Sequence, residues 1–340
     1  MTGESIPLRM RIRDASGAEI KDLGERSITV SEGRNFDLGA FNIGGLPEGR
    51  YRFVHDRVQE AAYSLIPETE RAEMHLRIGR LLATHTPPER RSERIFEIVV
   101  QLNHGADLIE SDVEREQLAE LNLTAGRRAK SSTAYVSALG YLERGLALLS
   151  HDGWQRRPDL MFALELLAGE CEFLTGALVS AEERLAALST RPASSVDLAS
   201  LASLRIDLYT ALSRNDRAVE VCLGYLRELG SEIASHPTED SAQAEYERTW
   251  SLIGCREIED LASLPQTLDA EVVATMGVLG RGLSPALFTD ANLLSVLVCR
   301  MTNLGLEHAI RGAGGRGGTG RRSGRYPNDP EERPVSLRPE

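Results

Sequence analysis

From residue 68 to 308 the chain repeats apolar residues three and four apart, broken by short polar, Pro or Gly stretches. That period belongs to amphipathic helices buried along one side. Glu68 to Leu82 predicts one such helix, with Met74, Ile78, Leu81 and Leu82 on the buried side. Thr86-Pro-Pro ends it, because prolines cannot continue a helix. Ser92 is the expected cap of the next, Arg94 to Leu108, where Ile95, Ile98, Val99 and Leu102 share a face. Glu114 to Ala129 and Ala134 to Leu149 form a pair, with seams at Leu118, Leu121 and Ala125 and at Leu139, Leu142, Leu146 and Leu149. Val272 to Leu279 and Asn292 to Leu306 are the last helices of the series, the second capped by Asp290.

A repeat decides the fold class. Leu164, Leu167, Cys171 and Leu174 map 37 positions on to Leu201, Leu204, Leu208 and Ala211. In the partner helices Ala181 and Leu188 map to Ala218 and Tyr225, and Ala138 holds the matching place one unit earlier. A small residue there lets two helices approach closely, which resembles the role of the recurring Ala in tetratricopeptide (TPR) repeats, whose period is about 34 residues. The period here is looser, so the expectation is an all-α superhelical array of antiparallel TPR-like pairs, stacked in chain order.

The first part of the chain has another texture. Up to residue 48, Leu8, Met10 and Ile12 alternate with arginines, Ile28 and Val30 flank Thr29, and glycines punctuate. This is a strand-and-turn pattern. It reads either as a small β-element or as a poorly specified appendage. Tyr51, Phe53 and Val54 then suggest a short strand, Asp56 a helix cap, and Val58, Ala61, Ala62 and Leu65 an apolar helix face ended by Pro67. At the other end, residues 309–340 are Gly, Arg, Pro and Ser with little to bury, so disorder is expected there. The switch near His308 is what a frameshift or an early stop in a larger gene would produce.

Composition narrows the function classes. Hydrophobic residues make up 41% and aromatics 5%, which suits helix-on-helix packing. A formal net charge of -12 argues against nucleic acid or anionic membrane as partner. No apolar run approaches the roughly 20 residues of a membrane span, and the start lacks a secretory apolar segment, so a cytoplasmic location is expected. Cys171, Cys222, Cys255 and Cys299 are scattered without a CxxC pair, which gives neither a zinc nor a redox motif. They read as reduced, buried thiols, and Trp154 and Trp250 read as core residues.

Residues 51–82, 96–109, 120–149, 204–221 and 283–308 together resemble, in order, the connector region of large bacterial multidomain signalling ATPases that combine serine/threonine-kinase, ATP-binding and sensor histidine-kinase parts. The resemblance covers about residues 50–308. It implies a winged-helix end of an NTPase module at 49–110, a TPR-like superhelix at 111–308, and an association with ATP or ADP in a full-length parent. In such ATPases a His-Asp pair in the winged helix faces the bound nucleotide. Val54-His55-Asp56 fits that pattern, so the resemblance makes His55 the candidate nucleotide sensor; local capping or packing is the competing reading.

The chain itself carries no phosphate cradle of the form GxxxxGK[ST]. Gly315 to Arg322 has Arg in place of Lys and no hydroxyl after it. Nor does it contain GxSxG, HExxH or a kinase catalytic loop. The expectation is therefore a non-catalytic relay or scaffold segment, with no catalytic residue, metal or cofactor of its own. It would bind protein partners or neighbouring domains through helix pairs. Self-association is expected through its last helix, whose apolar residues, Leu293 to Leu306, point in more than one direction. A stand-alone TPR-type adaptor, and an ATP-binding regulator whose P-loop lies outside this chain, are the alternatives.

Overall fold

The computed structural model describes residues 5–13, 19–29, 63, 66–149, 152–261, 263–264 and 269–314. The expected Tyr51 strand, the helix after it and His55 lie outside the described residues, as do residues 315–340. Near the N-terminus β1 (Ser5–Arg13) and β2 (Glu19–Thr29) pair antiparallel, Ser5 opposite Thr29, in the segment where alternation and glycines suggested strands.

From Glu68 the described chain is all-α. The longer helices are α1 (Glu68–His85), α2 (Ile95–His104), α3 (Asp112–Ser131), α4 (Tyr135–Leu148), α5 (Pro158–Leu174) and α6 (Leu178–Leu188). They are followed by α7 (Ser195–Ala211), α8 (Asn215–Glu228), α9 (Glu239–Ile253), α10 (Ala270–Thr289) and α11 (Ala291–Gly314). The chain divides into two compact units, Met1–Leu164 and Glu165–Glu340, so the division falls within α5.

In the first unit α1 packs on α2, α2 on α3, and α3 along α4. Ile95, Ile98, Val99 and Leu102 of α2 are all buried, as their spacing predicts. The buried face of α1 is shifted from the predicted one: Met74, Ile78 and Leu82 are half-buried. Leu81 is 51% exposed, whereas Leu76, Gly79 and the polar His75 are buried. Gly79 lets the two helices touch: a Cβ there would lie 2.6 Å from Leu102 Cδ2. Ser92 is not the cap of α2; Arg94 stands at its N-cap without a side-chain bond. Ser111 caps α3 by accepting the Glu114 N–H.

In the second unit one core joins α7, α8, α10 and α11 through Ile206, Cys222, Val278 and Leu293, each fully buried. The order of stacking departs from the chain order. After α8 it is α10 that packs on α7 and α8, and α9 lies instead along α11. α10 also runs on through Gly282 and Pro285 to Thr289, ten residues beyond the predicted Leu279. A buried, apolar setting holds it together there: Gly282, Pro285 and Ala286 all face the core, and Gly282 lies so close to α8 that a Cβ would be 2.7 Å from Cys222 Sγ.

The repeated positions are occupied alike in three helix pairs. Ala138, Ala181 and Ala218 are fully buried, and so, one turn on, are Leu142, Leu185 and Cys222. Facing them in the first helix, Gly126 and Gly169 each lie close enough that a Cβ would sit 2.7 Å from the Cδ2 of Leu142 or Leu185. The turns match as well. Thr133, Gly176 and Ser213 have φ of 59°, 83° and 57°, and the residue after each donates its N–H back five residues, to Ala129, Glu172 and Tyr209. This is the left-handed closure that satisfies a helix's last carbonyls. The seams are shorter than the sequence pattern suggested. Leu174 and Ala211, the fourth positions of the mapped set, are exposed because each helix reaches its turn there.

The last helix is better covered than its sequence implies. Leu293, Val296, Leu297 and Leu306 are buried between α10 and α9, leaving Val298 at 40% exposure. Trp250, expected in the core, is 42% exposed on α9 and meets Tyr246 edge-on.

Candidate functional site

His55, the residue read as a nucleotide sensor, lies outside the described residues. A described polar cluster lies in the first unit. Tyr63 Oη is 3.0 Å from His75 Nε2, and His75 Nδ1 is 2.6 Å from Gln101 Oε1. The partners assign the tautomer of a neutral ring: Nδ1–H donates to the amide oxygen, and Nε2 accepts from the tyrosine hydroxyl. The ring of His104 lies 4.7 Å from that of His75, and its Nδ1 bonds the Val100 carbonyl. Both ring nitrogens of His75 are bonded within the fold, so this cluster ties α1 to α2. Apolar periodicity could not have found it, because its central residue is a buried histidine.

Ion pairs reinforce the helix seams. Arg156 and Arg157 reach Asp112, Glu116 and Glu120 on α3. In the second unit Arg184 of α6 grips Glu172 through two N–H groups at 2.9 and 2.8 Å and also bonds Glu165. The Glu172 carboxylate, followed by Glu165, pushes the Arg184 guanidinium still further above its usual range. Each is a structural tie.

Two of the four thiols, all expected to be buried, are inert by placement. Cys222 is fully buried, and burial alone pushes its thiol up to about 12. Cys171 is buried too, while Cys255 is exposed. Thiolate is the reactive form, so alkylation at pH 8 should label Cys255 within minutes and leave Cys171 and Cys222 unmodified until the chain is unfolded. Rapid labelling of Cys222 in the folded chain would contradict this packing, with peptide mass mapping as the readout. Among the described residues no group of three His, Cys, Asp or Glu side chains could hold a metal ion.

One opening does have the form of a site. In the second unit a cavity of about 400 Å³ lies where α9, α10 and α11 meet the C-terminal end of α8. Its apolar part comes from residues such as Leu226, Val272, Leu279 and Leu304. Its polar part is mostly spent on internal bonds. Arg248 pairs with Glu307 at 2.6 Å, and Arg300 Nε lies 2.7 Å from Glu245 Oε1, although at an angle too poor for a hydrogen bond. Tyr225 Oη meets Thr275 Oγ1 at 3.0 Å. Two groups stand apart. Glu271 accepts from Ser195 Oγ and has no ion pair among the described residues. Asn303, 3% exposed, donates through Nδ2 to Glu245, but its Oδ1 is buried without a partner. A buried carbonyl oxygen left unpaired is costly, and nothing local marks it, because Asn303 is one of several polar residues along α11.

α10 is long and apolar enough to cross a membrane by length and composition, with a mean hydropathy of 1.3. In the structure it belongs to the core of the second unit.

The chain is similar to hybrid signal transduction histidine kinase G of Dictyostelium discoideum, with 28% identity over 223 residues. The match takes in 58% of this chain and 6% of that kinase, so the chain spans a small fraction of its relative's length. No family model matches the chain. No solved structure matches it. The partial, distant similarity and the helical fold suggest a signalling-related role.

Proposed function

We propose that this chain is a non-catalytic relay or scaffold segment of a multidomain signalling protein, built as TPR-like helix pairs that bind protein partners or neighbouring domains. The observation that carries this reading is the repeated seam: Ala138, Ala181 and Ala218 fully buried, each beside the same left-handed turn. Helix pairs that pack mainly on their neighbours pass strain along the chain and present extended faces to partners. The similarity to a histidine kinase over 6% of its length supports a segment of a larger signalling protein. The absence of a phosphate cradle from the sequence supports a segment without ATP turnover. Nucleotide sensing by His55 belongs to the same reading only if a P-loop module accompanies this chain.

The test is a chimera. The matched segment of the Dictyostelium kinase is replaced by this chain, and phosphoryl output is compared with the intact kinase and with a deletion of the segment. Regulated output from the chimera, together with no ATP hydrolysis by the isolated chain, is the expected result. A chimera that behaves like the deletion would overturn the relay reading, and turnover by the isolated chain would overturn the non-catalytic one.

A further inference from the structure

We infer that the cavity at the meeting of α9, α10 and α11 receives a guanidinium or ammonium group on an aliphatic stem, such as an arginine or lysine side chain presented by a protein partner. This rests on the reading of the chain as a partner-binding segment and names what one of its sites selects.

The argument is one of unmet bonding. At about 400 Å³ the cavity is within the range of sites that hold small groups. Both arginines have a countercharge, Arg248 in Glu307 and Arg300 in Glu245, although Arg300 Nε is left without a hydrogen bond. The unmatched charge and the most deeply buried unmet group are of the opposite kind, acceptors rather than donors. Glu271 is a carboxylate without a countercharge, and Asn303 Oδ1 is a buried acceptor without a donor. Both line the same cavity as the apolar side chains of Leu226, Leu279 and Leu304. A ligand that completes the site must therefore donate hydrogen bonds, carry positive charge and bury a short apolar stem. Arginine and lysine side chains combine these features. A carboxylate ligand would add a like charge beside Glu271 and leave Asn303 Oδ1 unpaired. A neutral alcohol could serve one acceptor but leave the charge unanswered.

The experiment titrates hexylguanidinium, hexanoate and hexanol into the full chain, followed by calorimetry and by the fluorescence of Trp250, which stands on α9. Saturable binding of hexylguanidinium is expected, with hexanoate and hexanol weaker by roughly tenfold, the worth of one charge-assisted bond. Glu271→Gln should weaken the guanidinium by a similar factor and leave hexanol unchanged. Asn303→Leu should weaken it as well. Should Asn303→Leu fail to fold, Glu271→Gln at the exposed rim still decides the matter. Equal or tighter binding of hexanoate would overturn the inference. So would guanidinium binding indifferent to Glu271→Gln, or no saturable binding, which would leave the cavity to ordered water. These outcomes are independent of the chimera. Regulated output without guanidinium binding removes the cavity's role alone, and binding without regulated output removes the relay reading alone.

Discussion

Replacing Arg184 by methionine is expected to lower stability by about 3 kcal/mol, among the largest losses from a single surface-reaching side chain in the second unit. Glu172 is the reason. It is 5% exposed, and two Arg184 N–H groups at 2.9 and 2.8 Å satisfy its carboxylate. Removing the arginine leaves a buried charge with no partner, and that desolvation is what the measurement would register. The double variant Arg184→Met with Glu172→Met should recover most of the loss, since an apolar pair of similar volume needs no compensation. Urea unfolding of the four species closes the cycle. If Arg184→Met alone left the midpoint within the error of the wild type, the carboxylate would be solvated and the seam looser than described.

Enlarging the packing alanines should be comparably harmful for a different reason. Ala218 has no exposed surface and lies in a core with Ile206, Tyr209 and Val278; Ala181 has none either. Leucine at either site has nowhere to go without moving a helix, at a cost of about 1–3 kcal/mol. Ala186, on the same helix as Ala181 but exposed, is the control, and Ala186→Leu should be nearly neutral. Ala218→Leu and Ala186→Leu with the same thermal midpoint would remove the close approach from which the repeat is read.

These alanines show what the sequence made legible. A small residue recurring at a fixed offset has one physical use in a helix pair, so Ala138, Ala181 and Ala218 could be placed before any coordinates. The apolar face of α2 was equally readable, because four apolar residues at helical spacing admit one orientation. α1 was not. Met74, Ile78, Leu81 and Leu82 also fit a stripe, but burial of His75 turns the helix, and a histidine's worth inside a core depends on Tyr63 and Gln101, which no local window contains. Trp250 was placed inside by its size, yet α9 meets its neighbour through polar groups. The helix read as ending at Leu279 instead runs on through Pro285, held by the packing around Gly282. The candidate cavity was invisible in the sequence for a similar reason: no local window spans the several helices that line it, and its distinguishing atom is a buried, unpaired carbonyl oxygen.

The attachment of α9 has a consequence of its own. Of its residues only Ile253 is fully buried, and its grip on α11 is largely Arg248 to Glu307, Arg300 to Glu245 and Asn303 to Glu245. Partly exposed ion pairs contribute little and fade with ionic strength, whereas the core beneath is apolar and indifferent to salt. α9 is thus expected to open at a lower cost than the rest of the unit. Raised salt should then speed hydrogen exchange in α9 ahead of α10, and each opening would strip a wall from the cavity that it helps to form.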